Sequence, residues 1–128
     1  MREIRTHGLG VPGDLALVAV DAPGPGGACH RYEITGFNAA ANPSHTEARS
    51  NGALILFQNG PIGVAGVNGV TNEVLLAIVA DRLRSFQSGD YPCDENAHAL
   101  TRIEAALDIL KGRTLARMLR GVEGTNAA

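Results

Sequence analysis

Glycine and proline crowd into one end of this chain, and that asymmetry constrains its fold more than any other feature of its 128 residues. Twelve of the sixteen glycines and five of the six prolines precede Thr71. Both residue types weaken a helix interior, so the front half has to be turns, strands and loops. Behind the break, Ala, Leu and Arg suit helix, which predicts an α+β chain: an N-terminal antiparallel β lobe followed by a C-terminal αα-hairpin. The expected division is a β lobe over 1–58, a glycine-rich connection over 59–70 and a helical hairpin over 71–125.

Several function classes fall away on charge and hydropathy. A formal net charge of −2 gives no basic footprint for duplex DNA. The longest apolar runs, Leu15–Val20 and Ala53–Phe57, are far too short to span a bilayer. Met1-Arg2-Glu3-Ile4-Arg5 has no apolar stretch behind it, so it does not read as a secretory signal. Cys29 and Cys93 lie in different halves and read as free thiols of a soluble, intracellular protein.

Leu15–Val20 is a continuous apolar run, the pattern of a strand buried on both faces. Residues 21–27 are too rich in Pro and Gly for helix or ladder. Over His30–Phe37, Tyr32 and Ile34 alternate with Arg31, Glu33 and Thr35, as in a half-exposed strand. A polar connection over 38–51 leads to a third strand at Ala53–Gln58, and Arg2–Thr6 adds an edge strand. Glycines then recur every third position at 60, 63, 66 and 69. Neither a phosphate-binding Walker loop nor a dinucleotide-fold loop fits this spacing. The segment is either a linker or subunit contact, or a backbone-lined approach to a helix N-terminus that favours an anion.

Thr71 or Asn72 caps a first helix whose stripe is Leu75, Ile78, Val79, Leu83 and Phe86. Cys93 or Asp94 caps a longer second one, with Ala97, Leu100, Ile103, Leu107, Leu110, Thr114 and Met118 on one side and Gly121 as its terminating glycine. Two such helices cannot bury both stripes alone, so they pack on the β lobe, on another subunit or on both, and a homo-oligomer is predicted.

Ten of the eleven basic residues are arginine. Arg113 and Arg117 share a helix face, with Arg120 three residues on. Arginine forks suit phosphate; a solvated helix end, where cations complement the macrodipole, accounts for the same pattern. Phe86 closes the first helix and Asn96 opens the second, so the turn brings together a ring and an amide, the two groups a purine needs. Phe86 read simply as the last core residue of its stripe is the alternative. No catalytic motif is present, and the four scattered histidines with two cysteines lack metal-site spacing.

Taken together, Phe57-Gln-Asn-Gly-Pro-Ile62, Gly66-Val-Asn-Gly-Val-Thr-Asn-Glu73, Arg113-Thr114 and Arg120-Gly-Val-Glu-Gly-Thr125 resemble the phage anti-defence nucleotide sponges that counter Thoeris and CBASS immunity. The resemblance covers 57–125 closely, and the strand-rich front half looks like the anti-Thoeris branch. It implies a protein of the infected host's cytoplasm that binds cyclic ADP-ribose-type signals, glycocyclic ADP-ribose among them, without degrading them. Related sponges also hold cyclic di- or trinucleotides at separate sites, within a homohexamer built from dimers. Phe86, Asn96, Arg113 and Arg117 match the family's stacking ring, hairpin amide and helix arginines. The further contacts carried over are Gln58, Asn59, Gly60, Asn68, Arg120 and Thr125. No cofactor, metal, DNA or membrane is implied.

Two rival readings remain at this point. A nucleotide-degrading enzyme would return altered ligand after binding and heat denaturation, where a sponge returns it intact. A small structural or assembly protein would bind no nucleotide at all.

Overall fold

The computed structural model describes residues 1–46 and 52–121. It is α+β: a four-stranded antiparallel sheet followed by a helical hairpin. The strands are β1 (Arg2–Ile4), β2 (Ala16–Ala19), β3 (Arg31–Thr35) and β4 (Gly52–Leu56), hydrogen-bonded in chain order. The helices are α1 (Ile62–Ala65), α2 (Asn72–Ser88) and α3 (Asp94–Leu119). The chain divides into two units, Met1–Gly60 with Ala65–Gly69, and Pro61–Val64 with Val70–Ala128.

In the first unit the register sets Ile4 beside Leu17, Leu17 beside Ile34, Ala19 beside Tyr32, and Tyr32 beside Ile55. Period-two alternation puts these side chains on one face. Tyr32 meets Phe57 edge-on there, centroids 5.6 Å apart, the arrangement ring quadrupoles favour. The expectation that Leu15–Val20 is buried on both faces does not hold: Leu15 is 42% exposed, and only Ala19 in the run is buried. A four-stranded sheet this short has too little of its own chain to cover two faces.

Two aspartates organise the turns. Asp14 accepts backbone N–H groups from Leu9, Gly10 and Val11, closing the β1–β2 connection. Asp21 accepts from the N–H groups of His30 and Arg31, fixing the entry to β3. Those bonds, led by Leu9 for Asp14 and by Arg31 for Asp21, hold both carboxyls below their ordinary range. A folded value below the unfolded one means the contribution is complete above about pH 4 and is lost as pH falls through the folded value. Asp21→Asn is therefore expected to lower stability at neutral pH and to flatten the acid limb of a urea-midpoint-against-pH curve. An acid limb parallel to that of the unmodified chain would contradict this role. Beside Asp21, His30 is buried, and its Nδ1 is the one buried side-chain polar atom without a partner among the described residues.

In the second unit Thr71 caps α2, its hydroxyl accepting from the Val74 N–H at 3.2 Å. Cys93, not Asp94, caps α3, the Sγ accepting from the Asn96 N–H. Gly121 follows α3 at φ 73°, donating to the Met118 carbonyl, as the terminating glycine should. At about 1.5 Å per residue the 26 residues of α3 extend about 39 Å.

The large apolar stripe of α2 is not its covered face. Leu75 and Leu83 are partly covered, but Ile78, Val79 and Phe86 are 54%, 41% and 50% exposed. The sheltered positions Glu73, Leu76, Ala80, Leu83 and Gln87 fall on one side at 3–4 spacing. Leu76 and Ala80, both outside the expected stripe, therefore lie at the centre of the covered side. Alanine admits close helix approach, and Ala80 is fully buried. On α3 the expected stripe is sheltered from Ala97 to Thr114; Met118 is 59% exposed, and Arg117 takes the covered position in the last turns.

Candidate functional site

The residues singled out from sequence fall into three places. Phe86 in the last turn of α2 and Asn96 in the first turn of α3 share the turn end of the hairpin. That end is set by local bonds: Gln87 Oε1 accepts from the Cys93 N–H at 3.0 Å, so the turn over 89–93 is tied back to α2. Half of Phe86 is exposed there.

Arg113 and Arg117 lie at the far end of α3. Seventeen positions separate Asn96 from Arg113, about 26 Å along a helix. One hairpin therefore does not bring the ring and amide together with the two arginines. The arginines also differ from each other: Arg113 is exposed, whereas Arg117 is only 6% exposed. A guanidinium stays charged when partly buried and holds a fixed fork of donors. Arg120 caps the end of α3, its N–H donating to the Ala116 carbonyl. Thr125 lies outside the described residues.

Gln58, Asn59, Gly60 and Asn68 form a third place, in the first unit. Gln58 Nε2 donates to the carbonyls of Gly66 at 2.8 Å and Gly60 at 3.2 Å. Its Oε1 accepts from the Asn68 N–H at 2.9 Å. The Asn68 side chain accepts from the Asn59 N–H at 2.8 Å and donates to the Asn59 carbonyl at 2.7 Å. Both side-chain amides are thus spent on the chain itself, closing the glycine-rich segment into a loop.

Arg82 is a candidate that the sequence motifs did not single out. Its guanidinium carbon lies 5.7 Å from the centroid of the Phe86 ring, within cation–π range. The i, i+4 spacing of Arg82 and Phe86 on a helix was the available signal. Among the described residues, no group of three or more His, Cys, Asp or Glu side chains could hold a metal ion, and no helix is long and apolar enough to cross a membrane.

Residues 51–108 match the family model described as Acb2/Tad1, hairpin domain. Over 74 residues the chain is 50% identical to a protein of Bacillus phage SBSphiJ7 named Thoeris anti-defense 1. That match covers 58% of this chain and 52% of the relative, about half of the relative's length.

Proposed function

From the match of residues 51–108 to the Acb2/Tad1 hairpin domain and the identity to an anti-Thoeris phage protein, we propose that the chain belongs to that family and is a phage anti-defence sponge acting against Thoeris. It binds a cyclic ADP-ribose-type signal, glycocyclic ADP-ribose first among them, and withholds it in the infected cell's cytoplasm without cleaving it. The observation that carries the reading is the 50% identity to a phage protein named for anti-Thoeris activity. Phe86 supplies the stacking face for the base and Asn96 the amide for its edge. Arg113 and Arg117 clamp the pyrophosphate.

The separation of these groups along α3 supports a site completed by self-association. One copy brings the ring and amide, and another brings the arginine end. The exposed apolar residues favour the same assembly. Val74, Ile78, Val79 and Phe86 on α2, with Ile109, Leu115, Met118 and Leu119 on α3, are all at least 41% exposed. Among the described residues, only Ala19, Cys29 and Ala80 are buried apolar ones. A dimer, or a hexamer built from dimers, covers such surfaces. A monomer by light scattering at micromolar concentration would contradict it.

A sponge has to compete with a receptor, so nanomolar affinity, about −12 kcal/mol, is the required scale. Two forks and one stack reach it only in a pocket that excludes water, where each charge-assisted bond adds about 1.5–3 kcal/mol. The test is a thermal-shift panel of ADP-ribose isomers and cyclic oligonucleotides, since a tight ligand raises the melting temperature by mass action. Heating the loaded protein then distinguishes the outcomes. Intact glycocyclic ADP-ribose released on denaturation is expected; a degraded product would make the protein an enzyme, and no shift with any ligand would remove the nucleotide reading.

A further inference from the structure

We propose that Arg82 is a ligand-binding residue, the cation that accompanies the base-stacking ring within a single hairpin. The proposal rests on the nucleotide-binding reading of Phe86 and extends it to a residue that neither the motif resemblance nor the helix-arginine pattern supplied.

Three observations converge on Arg82. First, its guanidinium stands over Phe86 at 5.7 Å from the centroid, and half of Phe86 is exposed. A cation held over a ring in this way keeps its N–H donors for a further partner. Second, Arg82 has no carboxylate partner among the described residues, whereas Arg84, two residues on, pairs with Glu104 across the hairpin at 3.4 Å. One α2 arginine joins the helices; the other keeps an uncompensated charge beside a half-exposed ring. Third, Arg82 is exposed and falls on the uncovered side of α2 with Ile78, Val79 and Phe86. A lone cation inside an apolar stripe is costly to cover with apolar surface, because its charge would be desolvated without a counter-ion. An anionic ligand with a flat apolar ring removes that conflict.

The chemistry that fits is a nucleotide carrying a phosphate or pyrophosphate. Its base stacks on the exposed part of the Phe86 ring, and the Arg82 fork takes the phosphate oxygens. Arg113 and Arg117 of the same chain are about 26 Å or more along α3 from Asn96, so at the Phe86 end of one hairpin Arg82 provides the fork.

The experiment is isothermal titration of the full chain with glycocyclic ADP-ribose at low and high salt, comparing Arg82→Gln, Arg82→Lys and Phe86→Leu. Arg102→Gln, which removes an exposed arginine of α3, serves as the charge-matched control. Arg82→Gln is expected to weaken binding about tenfold or more and to make it less salt-dependent, since one screened attraction is gone. Arg82→Lys should keep the salt dependence while recovering only part of the affinity, because a point charge lacks the fork. Wild-type affinity in Arg82→Gln, with the unmodified chain binding and Phe86→Leu impaired, would overturn the role of Arg82 alone. A loss of affinity in Arg82→Gln with unchanged salt dependence would also overturn it, making Arg82 a prop for the ring. No binding by the unmodified chain would overturn the nucleotide reading and Arg82 with it.

Discussion

Gly69→Ala is expected to destabilise the first unit by about 3 kcal/mol or more, the upper end of what overpacking costs. A methyl group on Gly69 would stand 2.6 Å from both the Gln58 nitrogen and the Leu56 carbonyl oxygen, and closer still to the Phe57 carbonyl carbon. All three are backbone atoms of the stretch that ends β4, so no side-chain rotation relieves the clash. The glycine is required by this close approach of two chain segments, and not by a left-handed φ. Gly112→Ala is the informative comparison, because nothing lies within 4 Å of its Cβ position in mid-α3. There the exchange should raise stability by about 1 kcal/mol through helix propensity. Urea unfolding followed by far-UV circular dichroism measures both. A Gly69→Ala protein as stable as the unmodified chain would mean residues 56–58 and 69 are not in contact.

The glycine repeat shows where reading the sequence stops. Period three at 60, 63, 66 and 69 was visible, but the reason for each glycine was not. Gly69 answers to a neighbour eleven to thirteen positions away, and Gly63 sits in the short α1 with open space around it. Local rules see neither, because one is a long-range contact and the other a single turn of helix between two glycines. The strands were legible for the opposite reason: Tyr32 and Ile34 alternate with charged neighbours, and alternation is a local property of the pleat. The terminating Gly121 was legible on the same ground, and the α2 cap was narrowed to Thr71 or Asn72, of which Thr71 caps.

The hairpin was legible in its elements and misleading in its faces. Large apolar residues at 3–4 spacing marked α2 correctly, yet Ile78, Val79 and Phe86 point away from the contact that the chain makes with itself. The sheltered side carries Leu76, Ala80 and Leu83. Leu75 and Leu76 are neighbours, so either can begin a series at helical spacing, and the series from Leu75 holds the larger residues. The series from Leu76 runs through Ala80, and alanine carries little signal because it is also the strongest helix former at exposed positions. Size was therefore a poor guide to burial within one chain. Ile78, Val79 and Phe86 become interpretable once a second copy or a ligand is considered, and Arg82 among them would otherwise be an oddly placed charge.

Asn68→Asp is expected to destabilise the chain more than Asn68→Ala at neutral pH, and to recover as the solution is acidified. The Asn68 amide makes two bonds to the Asn59 backbone, accepting its N–H and donating to its carbonyl. Alanine removes both, at about 1 kcal/mol each for exposed bonds, so about 2 kcal/mol in total. Aspartate keeps the acceptor but places a carboxylate oxygen against the Asn59 carbonyl, where the amide nitrogen had been at 2.7 Å. Two acceptors that close repel each other, so the exchange costs more than truncation does. Protonating the carboxyl as pH falls toward about 4 restores a donor and the bond with it. The folded state of the variant binds that proton more tightly than the unfolded one. Its pKa is therefore raised on folding, and stability is regained as pH falls through it. Urea midpoints of the two variants across pH 3–7, roughly the range over which such a carboxyl titrates, should cross. Parallel curves would mean that Asn68 does not clasp Asn59. On the proposed nucleotide-binding reading the crossing also bears on ligand recognition, because an amide already committed to Asn59 would alter affinity by loosening its loop and not by losing a contact of its own. Affinity in Asn68→Asp would then follow the same recovery with acid, whereas a direct ligand contact would be lost independently of the stability curve.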